Sequence, residues 1–459
     1  MTTDRLYQQA RQSHWDAVAR RFFNRKGGAE EYYHRRLAEV YQSVAAPGQR
    51  VLEIGCGYGD LLAALQPSFG VGIDFSPEMI RHATQRHPGL HFIEADAHAL
   101  SLNQQFDIII LSDLVNDLWD VQAVFEQIGK LATPHTRLIC NFFSRLWEAP
   151  LAVAQQLGLS RPNLEQNWLT PSDVQGLLYL ADFEVIRHWQ EILWPLSTPL
   201  LDTFFNRFVV KLWPFRYLGL TNFIVARPVP VGTAPTNAAP KSTAPDAEPL
   251  VSVIIPARNE EGNIEQIFAR VPEMGRGTEL IFVEGHSKDN TYAALEKAIA
   301  AHPERRCQLL RQSGVGKGDA VRFGFAQATG DIFMILDADV SVPPEDLVRF
   351  YEVLRSGKAE FANGVRLVYP MEEEAMRFLN LLGNKFFGLA FSWLLGQPIK
   401  DTLCGTKVLS RASYELIAAN RAYFGDFDPF GDFDLLLGAA RQNLKIVDVP
   451  IRYRQRTYG

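Results

Sequence analysis

Between residues 228 and 249 the chain reads PVPVGTAPTNAAPKSTAPDAEP, a run of Pro, Ala, Thr and small polar residues too poor in large apolar side chains to pack a core. Folding must therefore happen on either side of it, in residues 1–227 and 250–459, with 228–249 as a linker. Each half has the size of an ordinary domain. At 47% hydrophobic and 21% charged residues, the chain has the material for two cores and is neither disordered nor fibrous. A net charge of -6 argues against a nucleic-acid partner, which usually leaves a basic footprint. Cys56, Cys140, Cys307 and Cys404 lack metal-ligand spacing, which suggests a reducing compartment, no disulfide framework and no cysteine-bound metal. Met1 to Tyr7 is polar and lacks the apolar run of a leader, so a cytoplasmic protein is expected.

On both sides of the linker, short Val/Ile/Phe-rich runs alternate with amphipathic stretches, the pattern of β-α-β units and mostly parallel sheets. The halves share no convincing repeat, so two different α/β folds are expected in one chain. In the first half, the strand Arg50 to Ile54 runs into Gly55-Cys56-Gly57-Tyr58-Gly59, and a helix opens near Leu61. Glycines at such a turn let the backbone approach a ligand. A second strand, Val71 to Ile73, ends in Asp74, an acid placed to accept from a ribose diol. A third leads into Glu94-Ala95-Asp96, and a fourth, Phe106 to Leu111, ends at Ser112-Asp113.

This order resembles the class I S-adenosylmethionine-dependent methyltransferases over roughly residues 40–225, a Rossmann-like sheet. The resemblance implies that Glu53, Gly55, Gly57 and Gly59 shape the methionine pocket of bound S-adenosylmethionine, that Asp74 holds the ribose and that Asp96 lies beside the adenine. A nicotinamide-binding loop is the competitor; this one lacks the later glycine of G-x-G-x-x-G. Methyl transfer needs mainly positioning, so the absence of an obvious acid or base is no objection. Asp113, Asn116 and Asp117 either touch the methyl acceptor or cap the next helix. The basic and aromatic cluster from Arg20 to Arg36 is either a lid or a solvated face, and Trp194 to Leu220 either lines an apolar acceptor pocket or is core.

In the second half, the strand Leu250 to Pro256 ends in Ala257-Arg258-Asn259-Glu260-Glu261, and Glu279 to Val283 ends in Glu284 to Thr291. Gly316-Lys317-Gly318-Asp319 opens a helix, and Ile332 to Leu336 ends in Asp337-Ala338-Asp339. Two carboxylates one residue apart at a strand end suit a Mg²⁺ that also takes diphosphate oxygens. In this order the motifs resemble family 2 glycosyltransferases of the GT-A fold from about residue 250 to 459. The resemblance assigns Pro256, Glu260, Glu284 and Asp289 to the nucleoside, Lys317 and Asp337 to the ribose and diphosphate, and Asp339 to Mg²⁺ or Mn²⁺. Taken alone, Glu284 or Asp289 also fits simple turn formation.

Phe378 to Leu395, followed by Gly396-Gln397-Pro398-Ile399-Lys400-Asp401-Thr402-Leu403-Cys404-Gly405-Thr406-Lys407, resembles the dolichol- and polyprenol-phosphate sugar transferase branch. In that branch the helix rests on the membrane, and here an interfacial helix competes with an ordinary core helix. A peripheral contact with the inner face of the plasma membrane is the corresponding expectation. Gly431-Asp432-Phe433-Asp434 supplies the late carboxylates where an inverting enzyme keeps its base, Asp432 or Asp434. The terminal stretch resembles the segment closing over the diphosphate, with Arg456 as the contact. It stops where that pattern continues with Ser or Thr and a basic residue.

The resulting expectation is a bifunctional enzyme: metal-dependent inverting transfer from a nucleotide-sugar donor to a polyprenyl phosphate or other glycosyl acceptor, and methylation of an unknown methyl acceptor. A reading of another class makes the methyltransferase-like half a binding or scaffolding module.

Overall fold

A computed structural model describes residues 3–22, 29–156, 164, 166–230, 248–366, 378–421, 432–451 and 453. The chain divides into two compact units, Met1–Val229 and Pro230–Gly459.

The first unit begins with α1 (Thr3–Phe22) and α2 (Ala29–Val44). There follow β1 (Arg50–Ile54), α3 (Asp60–Ala64), β2 (Phe69–Asp74), α4 (Pro77–Arg86), β3 (His91–Glu94), β4 (Ile108–Ser112), α5 (Val121–Leu131) and β5 (Arg137–Phe143). The unit ends with α6 (Glu148–Gln156), α7 (Pro171–Leu180), β6 (Phe183–Glu191), α8 (Leu201–Arg207) and β7 (Thr221–Pro228). Its seven strands lie in the order β3-β2-β1-β4-β5-β7-β6, parallel from β3 to β5 and antiparallel where β7 meets β5 and β6. Alternation along β1 sends Leu52 and Ile54 to a face covered by Val124, Phe125 and Ile128 of α5 and Leu178 of α7. Val51 points to the other face, among Leu37, Val40 and Tyr41 of α2.

The second unit contains β8 (Val251–Ala257), α9 (Ile264–Arg270), β9 (Thr278–Glu284), α10 (Thr291–Ala301), β10 (Arg306–Arg311), α11 (Lys317–Gln327) and β11 (Ile332–Ile335). It continues with α12 (Leu347–Arg355), β12 (Phe361–Val365), α13 (Phe378–Leu395), β13 (Lys407–Ser410), α14 (Arg411–Ala419), α15 (Asp432–Arg441) and β14 (Ile446–Pro450). The strand order is β10-β9-β8-β11-β13-β12-β14, with β13 antiparallel to both neighbours. Alternation repeats here: Val251, Val253 and Ile255 enter one core, Ile254 the other.

Both units are thus α/β with mixed, mostly parallel sheets, as the alternating pattern implies. In each, strand order reverses beside the first strand, between β1 and β4 and between β8 and β11, which opens a crevice at the carboxyl ends. Among the described residues no helix is long and apolar enough to cross a membrane. Most of the linker, residues 231–247, lies outside the described residues.

Candidate active sites

The loop leaving β1 holds Gly55, Gly57 and Gly59 at φ of 74°, 50° and 73°, a left-handed region that side chains resist. A Cβ on Gly55 would strike Leu114 and one on Gly59 would strike Phe92, whereas one on Gly57 would meet open space. Gly57 is therefore where the loop backbone faces the crevice. Beneath it, Glu53 is buried and accepts from Leu62 N at 3.1 Å, which ties strand to helix. Burial pushes its carboxyl up to about 8. Asp74, also buried, accepts from Gly57 N at 3.0 Å and Ser76 N at 2.9 Å. Burial outweighs these bonds and pushes Asp74 up to about 6.

Asp96 accepts from Gln8 at 2.7 Å and pairs with the His98 ring at 2.8 Å; the His98 bond holds its carboxyl below the usual range. Gln8, Gln12, Phe75, Ala95 and Asp96 line a cleft of about 310 Å³. Its wall on one side is α1, through Gln12 to Phe75 O at 2.9 Å and a hydrogen bond between Ser76 and Asp16. Sequence reasoning missed this wall because α1 carries no motif. The basic and aromatic cluster read as either a lid or a solvated face begins at the far end of α1, and residues 23–28 of that cluster lie outside the described residues.

At the end of β4, Asp113 takes φ 54° and its Oδ1 accepts from Tyr33 at 2.8 Å and Asn141 at 2.6 Å. Burial pushes Asp113 up to about 6 and Tyr33 well above its ordinary value. Asp120, not Asp113, Asn116 or Asp117, caps α5, so the capping alternative fails for all three. Asn116 bridges Phe143 N and Asn167 O, while Asp117 faces Arg11 at 3.9 Å. In the stretch from Trp194 to Leu220, Asn206, Val209, Val210 and Leu220 are buried and Asp202, Thr203, Asn206 and Arg207 line a polar pocket with α2, but most of its large apolar side chains face solvent.

In the second unit Pro256 lies near the end of β8. Glu260 N donates to Thr291 Oγ1 at 2.9 Å, and the Glu260 carboxylate accepts from Asn263 at 2.7 Å. Glu284 accepts from Ser287 N at 2.6 Å, and Asp289 from Thr291 N at 3.1 Å and Glu261 N at 3.4 Å. These bonds stitch the loops after β8 and β9 together, so the turn-forming role of Glu284 and Asp289 is real. Burial raises Asp289, but the bonds it accepts outweigh it and hold the carboxyl below the usual range.

Lys317, at the start of α11, sits 2.5 Å from Asp337, at the end of β11. Gly405 has no room for a Cβ, which would overlap the Asp337 carboxylate and the Lys317 ammonium. Asp339 is buried and its Oδ1 accepts from Ser341 N at 3.0 Å and Oγ at 2.7 Å. The next residue, Val340, is held at φ 53°, a costly conformation for a β-branched side chain that turns the chain sharply after the two carboxylates. Burial raises Asp337, but the charge of Lys317, helped by Lys407 and Arg366, prevails and its carboxyl lies below the usual range.

Arg366 and Asp401 complete this cluster and were not assigned roles from sequence. Arg366 grips Asp401 with two bonds, 2.7 and 2.9 Å, and Asp401 is fully buried. Lys407 is buried and donates to Cys404 O at 2.5 Å. Asp401 and Lys407 lie within the motif from Gly396 to Lys407, which suggested a branch of the family and no residue roles, and Arg366 is a lone arginine after a strand and carries no signal. Asp434 pairs with Arg421 at 3.0 Å. The side chain of Asp432, and all of Arg456, lie outside the described residues.

Residues 45–181 match the family model "Methyltransferase domain", and residues 252–416 match "Glycosyl transferase family 2". The chain is similar to the dolichol-phosphate mannosyltransferase of Pyrococcus furiosus, 29% identical over 217 residues, 46% of this chain and 58% of that protein. It is also similar to an undecaprenyl-phosphate 4-deoxy-4-formamido-L-arabinose transferase of Pseudomonas aeruginosa, 30% identical over 31% of this chain and 43% of that protein. The chain thus spans about half the length of these curated relatives. Among solved structures, it is similar to magnesium protoporphyrin IX methyltransferase from Synechocystis with bound SAH, at 17% identity and TM-score 0.35, covering 48% of this chain and 99% of that one. The N-methyltransferase NodS of Bradyrhizobium japonicum, in complex with S-adenosyl-L-homocysteine, gives 15% identity and TM-score 0.29, covering 43% and 87%. The chain joins a methyltransferase domain, matched over residues 45–181, to a family 2 glycosyltransferase domain, matched over residues 252–416.

Proposed function

We propose that the chain is a bifunctional transferase, in which the second unit moves a sugar from a nucleoside diphosphate to a polyprenyl phosphate and the first methylates an acceptor from S-adenosylmethionine. The observation that carries the reading is the convergence of Lys317, Asp337 and Gly405 just past the carboxyl end of β11, with Asp339 two residues further along the same loop. A cation there answers a diphosphate, and the missing Cβ of Gly405 keeps the space around the pair open. A Mg²⁺ or Mn²⁺ ion that takes one or two carboxylates plus phosphate oxygens suits this donor set, with Asp339 as its protein ligand. Such an ion would neutralise charge growing on the leaving group.

Pro256, Glu260, Glu284 and Asp289 frame the nucleoside side, and Arg456 is assigned to the diphosphate. An acceptor phosphate monoester has a second pKa of about 6 and is largely ionised at neutral pH, so Asp432 or Asp434 would orient it more than deprotonate it. The polyprenyl phosphate is supported by the two relatives, whose names carry dolichol phosphate and undecaprenyl phosphate. On α13, the exposed Phe386, Phe387, Leu389, Trp393 and Leu394 suit a peripheral membrane contact.

In the first unit Glu53, Gly55, Gly57 and Gly59 would shape the methionine pocket, with Asp74 on the ribose and Asp96 beside the adenine in the cleft against α1. Asp113, with one oxygen held by Tyr33 and Asn141, would face the acceptor and take a proton from an amine or hydroxyl as the methyl group arrives.

The test is a transfer assay with purified protein, Mg²⁺ or Mn²⁺, radiolabelled UDP-, GDP- and dTDP-sugars and polyprenyl phosphate, scoring label that enters organic solvent. Metal-dependent lipid label that vanishes in Asp339→Ala is the expected result. Metal-dependent donor hydrolysis without lipid label would discard the lipid acceptor and keep the glycosyltransferase.

A further inference from the structure

The segment between β6 and β7 of the first unit, from Ile192 to Leu220, is built to present apolar side chains to the outside. Its inner side is tightly specified. The buried Asn206 accepts from Leu193 N and Trp194 N, each at 2.8 Å, and donates to Tyr32 Oη at 2.8 Å and Trp194 O at 2.7 Å. Trp194 stacks on Phe205 and donates to Thr198 at 2.6 Å, and Val209 and Val210 fill the space below. Arg36 reaches Asn206 O at 3.2 Å.

The outer side of this fixed segment carries Leu196, Leu200, Leu201, Phe204, Phe208, Leu212, Trp213, Phe215, Tyr217 and Leu218, all exposed; Leu200 is 86% and Trp213 77% accessible. From Lys211 to Leu218 every residue is exposed. Trp147 donates to Leu218 O at 2.9 Å, and beside it Leu146 is exposed as well, which extends the same face. Scattered exposed leucines are ordinary, but ten large apolar groups within 23 residues on a well-anchored scaffold mark a surface with a partner.

Charge selects the partner. Lys211 and Arg216 are exposed among these side chains, as is Arg207, which pairs with Glu39 of α2 at 3.6 Å, and the segment itself holds a single acid, Asp202, in a chain whose net charge is -6. A second copy docked isologously would set these cations near their own counterparts, which disfavours self-association. Apolar and aromatic side chains bordered by Arg and Lys, with Trp and Tyr among them, are instead the composition that settles into the headgroup layer of an anionic bilayer. We infer that this face of the methyltransferase unit binds the surface of an anionic phospholipid membrane. The inference stands apart from α13, which belongs to the other unit, and does not depend on which lipid accepts the sugar.

The experiment is flotation of the full chain with phosphatidylcholine vesicles, with and without phosphatidylglycerol. The wild type is expected to float with the anionic vesicles and to lose this with added salt. The triple variant Leu200→Ser/Phe208→Ser/Trp213→Ser, all at exposed positions, is expected to bind at least about tenfold more weakly with its melting temperature unchanged. Lys211→Gln and Arg216→Gln should each weaken anionic binding by about fivefold and leave binding to neutral vesicles alone. The counterpart Phe386→Ser/Leu389→Ser/Trp393→Ser on α13 should leave binding that still depends on Trp213. Vesicle binding equal to wild type in the Leu200/Phe208/Trp213 variant would overturn the inference while leaving the α13 contact standing. So would a wild type that binds neither vesicle, or a wild-type dimer that the same triple variant makes monomeric.

Discussion

The two units place carboxylates at equivalent edges of similar sheets and treat them in opposite ways. In the first, Glu53 and Asp74 are buried and Asp113 half-buried, with no Lys or Arg bridged to them among the described residues, and desolvation lifts them to about 8, 6 and 6. In the second, Asp401 is buried and Asp337 half-buried, but Arg366 and Lys317 stand against them and hold them below the usual range. A desolvated, unpaired carboxylate gains most from a cation or a set of hydroxyl donors brought by a ligand. A carboxylate already paired can share its cation with an arriving anion. The difference is what the proposed reading asks for, a sulfonium cofactor in the first unit and a metal-bound diphosphate in the second.

The sharpest way to break the comparison is Arg366→Met. It strands the fully buried Asp401, and denaturant unfolding should show the second unit losing about 3–5 kcal/mol. A loss below about 1 kcal/mol would mean that Asp401 finds other partners. Glu53→Gln should do the reverse. With a folded pKa above the unfolded value, Glu53 contributes stability that is complete below about pH 4.5 and lost as pH rises through about 8. The wild-type first unit should therefore fall by up to about 4 kcal/mol, relative to the variant, between about pH 4.5 and pH 9. Parallel stability curves for the two proteins would contradict the raised value.

Asp74 sharpens the comparison at the level of binding. A ligand that donates hydroxyls to Asp74 needs it ionised, so calorimetric affinity for S-adenosylmethionine should climb with pH up to about 6 and then level off. Asp74→Asn should flatten that profile and weaken binding roughly tenfold or more. The smallest stability effect belongs to Lys317→Ala. Its pair with Asp337 is about a quarter exposed, so unfolding should cost only about 1 kcal/mol, whereas the KM for the nucleotide-sugar should rise about tenfold.

The sequence carried the fold well because each strand is a short apolar run closed by a punctuating residue. Phe378 to Leu395 emerged as a helix with the bounds read from its apolar stretch, and the glycine turn and the Asp337-Ala338-Asp339 pair lie at strand ends as their spacing implies. What stayed hidden depends on long-range contact. Gln8 reaches Asp96 across 88 residues, Tyr33 reaches Asp113 across 80, and Arg366 finds Asp401 across a helix, and none of these partners has a local pattern. The stretch from Trp194 to Leu220 misled for a different reason: its apolar content looks like core, and only the buried Asn206 scaffold reveals that the aromatic face points outward.

The most direct measurement is equilibrium binding of two ligands to one full-length chain: S-adenosylmethionine, and a nucleoside diphosphate with Mg²⁺, each titrated into wild type, Asp74→Ala and Asp339→Ala. The account predicts that wild type binds both, that Asp74→Ala loses only S-adenosylmethionine, and that Asp339→Ala loses only the metal-dependent nucleotide binding. Unchanged binding of both ligands in both variants, or a wild type that binds neither, would contradict it.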